Sequence, residues 1–199
     1  AGVGKTACLI HIAFDKLFRK EKLVHVSLED VPEKITSYYN VIFYDLVKAL
    51  NIDDEDEVRI LFERNRMILA YLQQSFEIMR LRENLKNLVE KIDFVPDALI
   101  VDGLDFEKAD RDVFVGFKEI AEQFSVEIWF SARTHRHIAD VNERGIPYPC
   151  HELDDLFNII IQLQPTQSGI VLKLLKDHDA EVRPDASVRL DPNTFLVMS

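Results

Sequence analysis

Cysteine is scarce in this chain of 199 residues, which contains only Cys8 and Cys150. Neither cysteine belongs to a C-x-x-C pair, so the sequence predicts neither a disulfide framework nor a typical zinc site. We therefore expect a reducing compartment and cytoplasmic localisation. Cys150, His151 and His135 show no recognised metal-ligand spacing, and no metal is expected there.

The chain also lacks long hydrophobic runs and an excess of basic charge. Its longest apolar candidates, such as 158–163, are strand-sized, whereas a membrane helix needs about 20 apolar residues. Lys and Arg total 24 against 35 Asp and Glu, which gives a net charge of −11 at pH 7. We expect no membrane segment and no surface built broadly for nucleic acid, although a local basic contact stays open.

Glycine is also infrequent, yet two of the six glycines lie in the first four residues. Ala1-Gly2-Val3-Gly4-Lys5-Thr6 matches the second half of the phosphate-binding pattern G-x-x-x-x-G-K-[ST]. The first glycine of the pattern, and the strand that leads into such a loop, are expected upstream of Ala1. We therefore interpret the sequence as a fragment of a longer protein.

Each residue type in this motif suits phosphate or Mg²⁺ binding for a chemical reason. Gly2 and Gly4 allow backbone N–H groups to turn towards a phosphate, with Val3 and Ala7 beside them in the loop. Lys5 supplies a cation for the β/γ oxygens, and the Thr6 hydroxyl is a hard oxygen ligand for Mg²⁺. An apolar helical pattern follows, and the positive end of its dipole favours anions. The alternative is a glycine-rich turn before an ordinary helix.

Hydrophobic periodicity predicts an α/β fold in a single domain, 1–199. Apolar strands at 23–28, 98–102 and 126–131 alternate with helices, which indicates a mostly parallel sheet flanked by helices. Segment 57–92 is expected to be a long helical segment, or two helices. Segments 158–163, 170–176, 188–190 and 194–197 are predicted as strands, the last two as short antiparallel strands that close the domain.

Three polar sets follow the predicted parallel strands, where ligands bind in such sheets. Asp102 is the candidate Mg²⁺ ligand opposite Thr6, or alternatively the start of a turn. Glu29 is the candidate general base for an attacking water, with Asp30 as the alternate; either acid could instead serve a helix N-terminus. Ser131 could bind the γ-phosphate or act as a turn residue.

Together these segments resemble RecA-like P-loop ATPases, in the branch of the DnaB helicases and the KaiC/RadA group. Residues 1–6, the Ser27-Leu28-Glu29 strand end, 100–104 and 130–133 fall in the order of that family, and the resemblance covers nearly the whole chain. It implies ATP and Mg²⁺ as ligands, hydrolysis with Lys5 and Glu29 as catalytic residues, and a homo-oligomeric ring or filament.

The sequence departs from the family at one strand end. In the family, a Lys and an Arg at this strand end reach the γ-phosphate bound by the neighbouring subunit. This chain has Lys176 and His178 at the corresponding positions. A trans arginine contributes roughly 10³–10⁵ in rate. Histidine lacks the guanidinium fork, so fast hydrolysis is not expected unless Arg183 substitutes.

Three functional readings stay open at this point. Arg133, Arg136, Arg144 and Tyr148 lie in the stretch 133–151, where helicase relatives contact DNA; the alternative is an ordinary loop or a subunit contact. A KaiC-like signalling ATPase would have protein partners instead of DNA. A nucleotide-binding switch or scaffold would bind ATP without hydrolysing it.

Overall fold

The computed structural model describes residues 4–134, 140–167 and 169–198, and its contacts divide the chain into two compact units. The larger unit comprises Thr6–Leu104 and Ala109–Ser131. The smaller unit comprises Ala1–Lys5, Asp105–Lys108 and Ala132–Ser199. Each unit is described by itself.

The larger unit is an α/β structure with four parallel strands. Its elements, in chain order, are α1 (Lys5–Phe18), β1 (Leu23–Ser27), α2 (Pro32–Leu50), α3 (Glu55–Arg64), β2 (Arg66–Ala70), a 3₁₀ turn (Gln73–Ser75), α4 (Ile78–Ile92), β3 (Ala98–Asp102), α5 (Arg111–Phe124) and β4 (Glu127–Phe130). The strand order is β2-β1-β3-β4, and every neighbouring pair is parallel. The predicted parallel sheet flanked by helices is confirmed.

The predicted helical segment 57–92 is interrupted by a strand. α3 ends at Arg64, and β2 then pairs with β1 in parallel register from Leu23↔Arg66 to Ser27↔Ala70. Spacing along the chain did not reveal this strand, because Met67, Ile68 and Leu69 also fit a helical apolar pattern. Pairing with a buried strand decides the conformation of such an ambiguous short run.

An aromatic cluster joins α1, α2 and α3. The Phe14 ring centroid lies 5.5 Å from Tyr39, 6.2 Å from Phe43 and 5.4 Å from Phe62. All four side chains are buried. Beside them, all of β1 and the first four residues of β3 are buried, as expected for parallel strands covered on both faces. These helices and the central strands therefore share one apolar core.

Helices α4 and α5 form a second packed pair. A methyl group added at Gly116 would lie 2.8 Å from Ile78 Cγ1 and 3.2 Å from Ile78 Cγ2. Arg82 Nη2 also donates to Glu119 Oε2 at 2.6 Å. Gly116 is thus a close-approach residue in the middle of a helix, where glycine costs about 1 kcal/mol relative to alanine.

The smaller unit contains an antiparallel sheet. β5 (Ile159–Thr166), β6 (Gly169–Asp177) and β7 (Ser187–Leu190) lie in that order, which confirms the predicted C-terminal antiparallel strands. The strand predicted at 194–197 is present only as a single bridge between Leu190 and Val197, because a turn at 192–194 extends into the start of that segment. Among the described residues, no helix has the length and apolar content required to span a bilayer.

One histidine lies inside the core. His25, in the middle of β1, is fully buried, and its Nδ1 lies 3.1 Å from the Tyr39 hydroxyl oxygen. Burial lowers the pKa of His25 to about 4; the Asp102 carboxylate raises this pKa and the Arg66 cation lowers it, both by smaller amounts. Burial likewise lowers the pKa of His11 to about 4, opposed by Asp45. Both imidazoles are therefore neutral in the fold at pH 7.

We predict that Gly116→Ala destabilises the protein by about 1–3 kcal/mol, because the added methyl group overpacks against Ile78. Ile78→Ala removes both of these contacting carbons, Cγ1 and Cγ2. In that background Gly116→Ala should be neutral or stabilising, since only the helix propensity of alanine remains. Urea unfolding of the four proteins of this double-mutant cycle measures the coupling. Equal effects of Gly116→Ala in both backgrounds would contradict the proposed contact.

We predict that acid destabilises the fold between pH 6.5 and 4. In that window the unfolded histidines bind protons while buried His25 and His11 do not, so stability is full above the ordinary pKa of 6.5 and falls as the pH drops towards 4. His25→Gln should give a shallower loss of the free energy of unfolding with falling pH. Denaturant unfolding at pH 7, 6, 5 and 4 tests this, and an unchanged slope in the variant would show that His25 is not the responsible group.

Candidate functional site

The parallel register brings the polar strand ends to one edge of the sheet. Ser27 at the end of β1 pairs with Asp102 at the end of β3, and Val101 pairs with Phe130 at the end of β4. Ser131 follows directly, and its N–H lies 3.4 Å from the Val101 carbonyl. Because parallel strands all end on the same side, residues distant in sequence meet here.

Asp102 is the centre of this edge. The Thr6 hydroxyl, in the first turn of α1, donates to Asp102 Oδ2 at 2.7 Å. The Ser131 hydroxyl donates to Asp102 Oδ1 at 2.6 Å, and the Gly103 N–H donates to the same oxygen at 3.1 Å. Three residues named from the sequence, separated by up to 125 positions, thus share one partly buried hydrogen-bonded group.

Glu29 lies beside the turn that follows Asp102. The Leu28 N–H donates to the Asp102 carbonyl at 3.0 Å, which extends the β1–β3 pairing up to Glu29. Gly103 has φ +83°, and a methyl group added there would lie 2.8 Å from Glu29 Cβ and 3.0 Å from Glu29 N. Gly103 therefore serves both a left-handed turn and this close approach.

The surroundings distinguish Glu29 from its alternate, Asp30. Lys34 Nζ lies 2.6 Å from Asp30 Oδ1, and the Ser27 hydroxyl both donates to the Asp30 carbonyl at 2.7 Å and accepts from the Asp30 N–H at 3.0 Å. Within the described ranges, the exposed Glu29 carboxylate has no such partner. Neither acid caps α2, whose N-cap residue is Val31 without a side-chain hydrogen bond. Glu29 is the carboxylate available for a ligand.

The described part of the phosphate motif has the expected local form. Gly4 has φ +75°, a left-handed conformation that favours glycine, and α1 begins at the next residue, Lys5. Lys5, Thr6 and Ala7 are all partly exposed at this helix N-terminus. The predicted phosphate-contacting residues Gly2 and Val3 lie outside the described residues.

The donor set fits a magnesium–phosphate complex better than a protein-only metal site. Thr6 and Asp102 offer a hydroxyl and a carboxylate, which are hard oxygen donors. Mg²⁺ is commonly held by one or two such groups, with waters and substrate phosphates completing its shell. Within residues 4–134, 140–167 and 169–198 no group of three or more His, Cys, Asp or Glu side chains could hold a metal ion.

Lys176 and His178 have definite local partners in the smaller unit. Lys176 is only 7% exposed, and its ammonium group donates to the Asp154 carbonyl at 2.5 Å. His178 has φ +52°, and its Nδ1 lies 2.8 Å from Asp177 Oδ1. In the described conformation Lys176 is therefore engaged within its own unit, and His178 is the exposed member of the pair.

The stretch 133–151 is only partly described. Arg133 and Thr134 are exposed, while His135, Arg136 and His137 lie outside the described residues. Further on, Arg144 Nη1 lies 3.7 Å from Asp154 Oδ2. The Tyr148 ring packs edge-on against His151, with centroids 5.6 Å apart. Two of the four candidates for phosphate or base contacts in this stretch, Arg144 and Tyr148, thus have intramolecular partners.

Some contributors to the site were not predicted from the sequence. The Ser27 hydroxyl donates to the Asp30 carbonyl at the end of β1. Gly103 has no side chain and so allows Glu29 to pack directly against the turn after Asp102. The available signals were a polar residue closing an apolar strand and the Asp102-Gly103 turn dipeptide. Neither sequence signal predicts that Gly103 contacts Glu29, because that contact depends on which strands are neighbours in the sheet.

Comparison with known proteins identified no matching family. No model of a known protein family matches the chain, and no curated protein sequence is significantly similar to it.

We predict that Thr6→Val destabilises the nucleotide-free protein by about 0.5–1.5 kcal/mol, because Asp102 Oδ2 loses a hydrogen-bond donor while the side-chain shape is kept. Thr6→Ser is the matched control: it retains the hydroxyl and should keep most of the stability. Urea denaturation without nucleotide compares the three proteins. Equal stability of the valine variant and the wild type would contradict a stabilising Thr6–Asp102 bond.

Proposed function

We propose that this chain binds ATP with Mg²⁺ and hydrolyses it, as a RecA-like P-loop ATPase. The observation that carries the proposal is the group formed by Thr6, Asp102 and Ser131, with Glu29 at the adjoining turn. It places a hydroxyl that follows a phosphate-loop lysine against a strand-end carboxylate, and a second acid next to them. Phosphoryl transfer requires mainly such positioning and charge stabilisation.

Each residue has a distinct role in the proposed reaction. Backbone N–H groups of the loop around Gly2 and Gly4, together with the Lys5 cation, bind the phosphate oxygens. Thr6 and Asp102 hold Mg²⁺, which neutralises negative charge on the phosphates when it is bound. The Thr6 hydroxyl donates its proton to Asp102 and keeps its oxygen lone pairs, so the hydrogen bond seen here is compatible with Thr6 as a ligand of Mg²⁺.

Glu29 activates the water in the proposed reaction. The water oxygen forms a bond to the γ-phosphorus, the bond between that phosphorus and the β–γ bridging oxygen breaks, and the Glu29 carboxylate accepts the water proton. ADP and inorganic phosphate leave as products. In the proposed reaction the Ser131 hydroxyl turns from Asp102 and donates a hydrogen bond to the γ-phosphate.

We predict that Glu29→Gln lowers ATP turnover at least 100-fold and leaves ATP·Mg²⁺ affinity within a few-fold, because only proton acceptance is removed. Asp30→Asn is the matched control, since Asp30 is engaged with Lys34, and it should retain most of the turnover. Phosphate release and ATP affinity are measured with and without single-stranded DNA. Turnover that is unchanged in Glu29→Gln would contradict the assigned role.

The effect of single-stranded DNA on phosphate release distinguishes a DNA-linked ATPase from one with protein partners. Release stimulated by DNA supports a DNA-linked motor, with contacts from the 133–151 stretch. Release that ignores DNA supports a KaiC-like ATPase with protein partners. Both settings include the proposed homo-oligomer, which sedimentation with and without ATP·Mg²⁺ detects.

A non-hydrolysing switch is the second candidate function, and Lys176 and His178 favour it. Lys176 donates to Asp154 within its own unit, and His178 stands where a charged arginine would accelerate hydrolysis. This function predicts ATP binding by the wild type with negligible phosphate release, and no further effect of Glu29→Gln.

A further inference from the structure

The C-terminal segment contacts the phosphate loop within the smaller unit. A methyl group added at Gly4 would overlap Cζ of Phe195, and its distances to Cε2 and Cε1 would be 3.2 Å and 3.4 Å. The tip of the Phe195 ring therefore rests on the Gly4 Cα. Gly4 is the last glycine of the loop, immediately before Lys5.

The turn 191–196 presents this ring through a dense set of local hydrogen bonds. Asp191 Oδ1 accepts from the Asn193 N–H at 3.0 Å, the Thr194 N–H at 2.8 Å and the Thr194 hydroxyl at 3.0 Å. The Phe195 N–H donates to the Asp191 carbonyl at 2.8 Å, and the Asp191 N–H donates to the Leu196 carbonyl at 2.9 Å. The backbone N–H groups of Thr194 and Asn193, followed by the Thr194 hydroxyl, lower the pKa of Asp191, which is therefore ionised at neutral pH.

The backbone of Phe195 is itself unusual. Phe195 has φ +54°, a left-handed conformation that is unfavourable for a residue with a bulky side chain. Such a conformation persists only where the surrounding structure imposes it, and here the Asp191 turn does so. An extended Phe195 backbone would direct the ring elsewhere, so the turn, the left-handed backbone and the ring contact form one unit.

We propose that Phe195 is a positioning residue for phosphate binding: its ring restricts Gly4, the residue directly before Lys5, before phosphate arrives. The inference rests on the proposed function and deepens it. Glycine has the largest backbone freedom of any residue, so an unrestrained Gly4 must lose more entropy when phosphate binds. Restricting the loop in advance strengthens binding by reducing this loss. Since Phe195 acts on the loop, the strengthening applies to the polyphosphate and is independent of the base.

The first test measures the loop without nucleotide. In Phe195→Ala, amide hydrogen exchange of the peptide that contains Gly4 and Lys5 should become several-fold faster. Val197→Ala is the matched control, because Val197 lies in the same terminal segment and is 67% exposed. Unchanged exchange in Phe195→Ala, or equal changes in both variants, would overturn the inference.

The second test measures affinity for ATP·Mg²⁺ and for inorganic tripolyphosphate with Mg²⁺. Phe195→Ala should weaken both by the same factor, about tenfold, which corresponds to about 1.4 kcal/mol. Val197→Ala should leave both affinities unchanged. Weakened ATP binding with unchanged tripolyphosphate binding would overturn the inference, because Phe195 would then contact the base. Tighter binding in Phe195→Ala would also overturn it, because the ring would then obstruct the site.

Two further variants and the wild type complete the design. Asp191→Ala removes the acceptor of the turn and should weaken tripolyphosphate binding in the same direction, whereas Asp191→Asn keeps Oδ1 and should retain most of the affinity. If the wild type binds ATP and Phe195→Ala binds it equally well, the inference fails and the proposed function stands. If the wild type binds neither ligand, the proposed function fails, and the inference fails with it.

Discussion

The candidate site depends on the parallel pairing of β1, β3 and β4. In this register Ser27 pairs with Asp102, and Phe130 pairs with Val101 one residue earlier. Glu29, Asp102 and Ser131 therefore lie at the same edge of the sheet. A shift by one residue would turn each side chain to the opposite face of the sheet. The burial of β1 and of most of β3 keeps the register fixed, since any shift would expose apolar residues or bury polar ones.

Asp102 is held in place by hydrogen bonds from three other residues of the protein. Both of its carboxylate oxygens accept hydrogen bonds, from Thr6 at one oxygen and from Ser131 and Gly103 at the other. These bonds offset the cost of desolvating a carboxylate in a partly buried position. They also hold the Asp102 side chain in one orientation. The same hydroxyl groups can turn to a metal ion or a phosphate, so the network is both a structural element and a set of potential ligands.

The smaller unit contains a contact between an aromatic ring and Gly4, the residue that precedes Lys5. Its antiparallel strands lead into the Asp191 turn, which holds Phe195 in a left-handed conformation against Gly4. In the same unit, the Lys176 ammonium group donates to the Asp154 carbonyl in the described conformation. In the proposed function the loop before Lys5 binds phosphate through backbone groups, so the Phe195 side chain that packs on Gly4 is the means by which the C-terminal segment influences it.

The sequence by itself determined the α/β class and the antiparallel C-terminal strands, because apolar runs and their spacing are local patterns. It also named Thr6, Asp102 and Ser131, which the fold joins by hydrogen bonds. It did not determine β2, whose apolar residues suit a helix or a strand until β1 pairs with them. It ranked Glu29 before Asp30 as the candidate base but did not show their surroundings: Asp30 pairs with Lys34 four residues on, whereas only the fold brings Gly103 to Glu29. The Phe195–Gly4 contact, 191 residues apart along the chain, was likewise decided by tertiary structure alone, because no local pattern encodes which distant segments meet.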